Sequence, residues 1–136
     1  MPYQSYPANR AIGFEKNPER ADRARRNALT LGVPDLKVVE GEAPKTLTGR
    51  DAPDAIFIGG GASVPGMIDT AWNVLKPCGR LVINAISLET ETLLLVAHAK
   101  HGGQLVRIGV EHAEPLGGMH GWRPAMTVTQ WSVAKI

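Results

Sequence analysis

In the stretch RAIGFEKNPER a carboxylate, Glu15, follows a short apolar run and precedes Asn17-Pro18-Glu19. An acid in that position can accept both hydroxyls of a ribose. It can equally be a solvated acid at a strand end. One strand further on, EGEAP places Gly41, Glu42 and Ala43 where a bare backbone can approach an adenine edge. The same five residues also suit a strand-to-helix turn in which Pro44 opens a helix. A third group, Gly59, Gly60 and Gly61, leaves a strand end free of side chains. Such a floor suits a large flat substrate or the methionine part of a cofactor. It lacks the Lys-Ser/Thr of a phosphate loop and the spacing of a dinucleotide fingerprint. Asn84, Ala85 and Ile86 form a fourth group of the same kind. His98, His101, His112 and His120 show no metal-ligand spacing with carboxylate or cysteine partners, so no metal is expected. No nucleophile elbow and no Cys/His pair supports hydrolase chemistry.

The elements that must position these groups alternate. Apolar runs at 11–14, 36–40, 55–58 and 80–85 read as strands, each bounded by turn or helix signals. Asn17 as cap, Pro18 at the first helical position and Glu19 in the first turn start a helix that runs to about Leu31, where Gly32 stops it. A short helical turn is expected over 43–47, with helices over about 65–75 and 89–100. Near-continuous apolar strands separated by helices call for a parallel sheet covered on both faces. After Gly102-Gly103, strands over 105–110 and 127–134 follow with only a loop at 114–124 between them. They are expected to form an antiparallel element at the end of the sheet. In such a sheet ligands sit outside the carboxyl ends of the strands, where all four groups above fall.

The 136 residues suit one domain, with an irregular segment over 1–10. With 43% hydrophobic and 21% charged residues, the chain falls in the globular class. Its apolar stretches fall far short of the roughly 20 residues that span a bilayer. A polar start and a lone Cys78 point to the cytoplasm. Net charge is only +2, and Arg20, Arg23, Arg25 and Arg26 read as a solvated helix face. Aromatics at 5% argue against nucleic acid as a partner.

The ordered blocks FEKNPERADRARRNALTLGV, VVEGEAP, PDAIFIGGG, LKPCGRLVINAISLETE and AEPLGGMHGWRPAMTVTQW resemble the C-terminal methyltransferase domain of the precorrin-6Y C5,15-methyltransferase family and its cobalt-precorrin-6B counterpart. The resemblance covers about nine tenths of the chain. It implies a Rossmann-like class I fold and S-adenosylmethionine as methyl donor. It also implies methylation of a tetrapyrrole at meso carbon 15, with decarboxylation of the ring C acetate. By position it makes Glu15 the ribose acid, Gly41, Glu42 and Ala43 the adenine loop, and Gly59, Gly60 and Gly61 the cleft glycines.

Arg107, Arg123 and Asn84 become candidates for binding the substrate, since arginine grips carboxylates bidentately. Glu89, Glu114 and His120 become candidates for protonating the product carbon. A homo-oligomer is expected. Family members carry a first strand and a D-x-G-x-G-x-G loop ahead of the strand ending in Glu15, whereas MPYQSYPANR has two prolines and no glycine. The chain thus reads as an N-terminally shortened domain that binds the cofactor weakly or not at all. Competing readings are another class I methyltransferase, acting on a small molecule or RNA, and a non-catalytic assembly module.

Overall fold

The computed structural model describes residues 9–136. The irregular segment expected over 1–10 lies, for residues 1–8, outside them. The chain divides into two compact units, one up to Arg50 and one from Asp51.

In the first unit β1 (Ile12–Glu15) pairs in parallel with β2 (Lys37–Glu40), and α1 (Pro18–Thr30) joins them. The helix starts where its cap chemistry says it should. Asn17 Oδ1 accepts from the N–H groups of Glu19 at 3.0 Å and Arg20 at 3.2 Å, with Pro18 at the first helical position. Ala21 and Ala28 are its buried residues, a narrow stripe that lets the helix lie close. The register sets Glu15 beside Glu40 at the carboxyl ends of the strands. Like charges so placed repel. The helix answers with one arginine for each: Arg20 pairs with Glu15 at 3.1 Å and Arg25 with Glu40 at 2.8 Å. Arg25 also donates to Val38 O at 3.1 Å, which fastens α1 to β2. Two members of the basic cluster are therefore structural clamps as well as a solvated face.

In the second unit the sheet order is β3 (Ala55–Ile58), β4 (Arg80–Ala85), β8 (Val128–Ala134), β5 (Gln104–Ile108). β3 runs parallel to β4, and β8 runs against both of its neighbours. The antiparallel end-element is thus present. Alternation picks one buried face: Leu81, Ile83 and Ala85 on β4 lie beside Val133, Trp131 and Thr129 on β8. α3 (Leu88–His101) packs on β4 and β8 through Leu94 and Ala97. Ser87 caps it, and Gly102 at φ 75° ends it. α2 (Met67–Val74) buries Met67 and Ala71, and Lys135 Nζ donates to the carbonyls of Trp72 and Leu75 at its end. Trp72 stacks on His101 with ring centroids 3.9 Å apart. The other face of the sheet leaves Phe57 64% and Val106 40% exposed, so the expectation of two covered faces holds on one side only.

Two expectations need correction. The stretch 114–124 is not a loop: β6 (Glu111–Leu116) and β7 (Met119–Pro124) form an antiparallel hairpin around Gly117-Gly118. Nearly every residue of it is exposed, so no apolar alternation marks it, and Pro115, Gly121 and Pro124 read as breakers. The turn expected over 43–47 shrinks to a 3-10 turn, Lys45–Leu47, with Pro44 as its cap rather than its first residue.

Candidate functional site

Expected site residues come together at two strand carboxyl ends, one in each unit. In the first, Gly41 N–H donates to Glu15 O at 3.3 Å, so the acid and the EGEAP loop stand side by side. Glu15 Oε1 accepts from Asn17 N–H at 3.0 Å and Arg20 Nε at 3.1 Å. The Asn17 bond first, and the Arg20 guanidinium with it, holds the carboxyl below its usual range. Among the described residues Oε2 has no bond of this kind and the side chain is 29% exposed, so one oxygen fixes the acid and the other is open.

Gly41 has a packing reason to be glycine. At φ 152°, a Cβ there would stand 2.6 Å from Thr46 Cγ2. Glu42 is exposed and Ala43 half-buried beside it. Thr46 Oγ1 is buried without a hydrogen-bond partner among the described residues. An unpaired buried hydroxyl costs on the order of 1–3 kcal/mol. Thr46→Val is therefore expected to raise stability by about 1 kcal/mol, a few degrees in melting temperature for a chain of this size. A lower melting temperature would show that the hydroxyl has a partner.

In the second unit Gly59, Gly60 and Gly61 follow β3. A Cβ at Gly60 or Gly61 meets nothing within 4 Å, so this strand end is open. A cleft of about 520 Å³ opens at the carboxyl ends of β4 and β5, lined among others by Ala85, Ile86, Glu91, Arg107 and Met126. Ala85, Thr129 and Arg107 form one row across three strands. Arg107 Nη2 donates to Glu91 Oε1. Asn84 lies on the opposite face, where its Oδ1 accepts from Gln130 Nε2 at 2.9 Å.

The other expected residues do not gather here. Glu89 is exposed on α3 and does not line the cleft. Glu114 and Arg123 pair with each other across the hairpin at 2.6 Å, and His120 is exposed on β7. Sequence reading missed Arg20, Glu91 and Gln130. Glu91 was within reach, because it precedes buried Leu94 and Ala97 at helical spacing, whereas Glu89 does not.

The sequence model described as the precorrin methyltransferase domain matches residues 3–135. The chain belongs to that family. A precorrin-6Y C(5,15)-methyltransferase (decarboxylating) from Sinorhizobium is 55% identical over 95% of this chain, which spans 31% of that protein's length. A cobalt-precorrin-6B C(15)-methyltransferase (decarboxylating) from Salmonella typhimurium is 32% identical over 88% of this chain and 63% of its own. The C-terminal domain of precorrin-6Y C5,15-methyltransferase from Rhodobacter capsulatus superposes with a TM-score of 0.84. It is 43% identical, and the match covers 93% of this chain and 68% of that one. The family's fold is the Rossmann-like one of class I S-adenosylmethionine-dependent methyltransferases.

Proposed function

We propose that this chain forms one methyltransferase domain, acting with S-adenosylmethionine on a precorrin to methylate meso carbon 15 and remove the ring C acetate carboxyl in cobalamin biosynthesis. The observation that carries this reading is the family match running through both units, residues 3–135. Identity of 55% to a precorrin-6Y enzyme against 32% to a cobalt-precorrin enzyme favours the cobalt-free substrate.

The residues of the first unit fit the adenosine part of the cofactor. Among the described residues Glu15 keeps one carboxylate oxygen open, proposed for the ribose hydroxyls, and the loop of Gly41, Glu42 and Ala43 beside it is proposed for the adenine edge. When bound, S-adenosylmethionine supplies the methyl group as an electrophile on a sulfonium. The protein's part is then to orient the macrocycle, exclude water and deliver a proton to the carbon that loses carbon dioxide. Arg107, Arg123 and Asn84 are proposed for holding the substrate. The proton falls to Glu89, Glu114 or His120.

The experiment is incubation with the tetrapyrrole substrate and methyl-labelled cofactor, followed by mass spectrometry. Gain of the labelled methyl and loss of carbon dioxide in one product is expected; label without carbon dioxide loss would point to another class I methyltransferase. Among the described residues no helix is long and apolar enough to cross a membrane. The hairpin, with Leu116 68% and Trp122 72% exposed, supports a homo-oligomer. Light scattering giving the monomer mass would reject that part.

A further inference from the structure

The ion pair in the cleft at the carboxyl ends of β4 and β5 has unequal members. The Glu91 side chain is 14% exposed and the Arg107 side chain 69%. An ordinary surface pair has both ends in water and contributes little. Here the acid is largely withdrawn from water and the guanidinium stands out from it. The carboxylate therefore fixes the arginine while spending one of its nitrogens, Nη2. The remaining donors of the guanidinium fork have no protein partner among the described residues. Around the pair lie Ile86, 60% exposed, Leu88, 76%, and Met126, 68%. Exposed apolar side chains around a single anchored cation suit a flat apolar ring that bears a carboxylate arm.

We infer that this cleft is a subsite for a peripheral carboxylate of the tetrapyrrole, with Arg107 binding the carboxylate and Glu91 acting as the positioning residue for Arg107. The inference rests on the function proposed above. The carboxylate held here is one that survives the reaction. In the decarboxylation the bond to the departing carboxyl breaks, its electron pair passes into the macrocycle, neutral carbon dioxide leaves, and a proton is taken up at the carbon. Negative charge thus drains out of that carboxyl, and a guanidinium paired with it would hold the charge back.

The test is a titration of the protein with uroporphyrin, an octacarboxylate tetrapyrrole, followed by Soret absorbance. Arg107→Gln is expected to weaken binding about tenfold, the loss of one charge-assisted contact, with Arg107→Lys between the two because it keeps charge and loses the fork. Glu91→Gln, close to isosteric, is expected to weaken binding several-fold in the unmodified background and to add nothing to Arg107→Gln, since a residue acting through another shows full coupling. A structural lesion at Glu91 would add its own loss in both backgrounds. Equal binding by Arg107→Gln and the unmodified protein would overturn the subsite, and independent additive effects of the two substitutions would overturn the positioning role of Glu91. Failure of the unmodified protein to bind uroporphyrin while it still binds S-adenosylhomocysteine would instead reject the tetrapyrrole reading, and the subsite with it.

Discussion

In a protein that also carries the family's glycine loop ahead of β1, Glu15→Ala is expected to raise the dissociation constant for S-adenosylhomocysteine about tenfold or more, the equivalent of one or two hydrogen bonds to a charged group. The carboxylate stands at the end of β1, one oxygen held by Asn17 N–H and Arg20, the other open among the described residues. Glu15→Gln keeps the shape and one acceptor, so it should fall between the two. Calorimetry on the three proteins checks this, and an unchanged constant for the alanine variant removes Glu15 from the site. The pH profile gives a second reading. The folded carboxyl titrates below its ordinary value of 4.5 because the Asn17 bond favours the charged form. Its contribution to stability is therefore fully present above that ordinary value and is lost as pH falls through the lowered one. Cofactor affinity carried by Glu15 should stay flat on moving from neutral pH down to about 4.5 and decline only below it. Arg20→Ala removes one of the bonds that hold the carboxyl down and should shift the decline upward.

Trp131→Ala is expected to lower the unfolding free energy by about 3–5 kcal/mol, a large part of the 5–15 kcal/mol typical of a native protein. Trp131 is fully buried on β8, in register with Ile83 on β4 and Leu105 on β5. Its indole N–H donates to Gly102 O at 2.9 Å, and its ring lies 6.2 Å from that of His101. Gly103 lies close against this part of the sheet. A Cβ at Gly103 would stand 2.5 Å from Ser132 O. Trp131→Phe keeps most of the ring and loses the donor, for about 1–2 kcal/mol with its smaller volume. Urea unfolding with both variants checks the pair. A loss under about 1 kcal/mol for the alanine variant would mean that the unit is held elsewhere.

Where local chemistry acts alone, the chain announces its structure. Asn17-Pro18-Glu19 caps α1 as read, and the apolar runs at β3, β4 and β8 are strands within two residues of their expected bounds. The hairpin escaped because its strands bury neither face, and period-two patterning is a signal of half-burial rather than of extended backbone. The candidate site was legible in its backbone parts: Glu15 and the EGEAP loop do lie side by side, at the ends of β1 and β2. Its side-chain partners were not. Arg20 and Arg25 read as solvated charge because nothing local reveals that the β1–β2 register sets two acids together. Glu91 pairs with Arg107 across sixteen positions of sequence, a contact that exists only once α3 lies against the sheet.

The placing of β8 governs how the second unit can be made. The sheet runs β3, β4, β8, β5, so the strand synthesised last sits between two made earlier. Until residues Val128–Ala134 leave the ribosome, β4 and β5 have no shared neighbour, and Trp131 is missing from the face that α3 must cover. The unit thus cannot fold progressively from its amino end. Its core closes in one late, non-local step, of the kind that slows folding and leaves apolar strands exposed in the meantime. A nascent chain stalled short of Val128 would be a client for chaperones rather than a half-built domain.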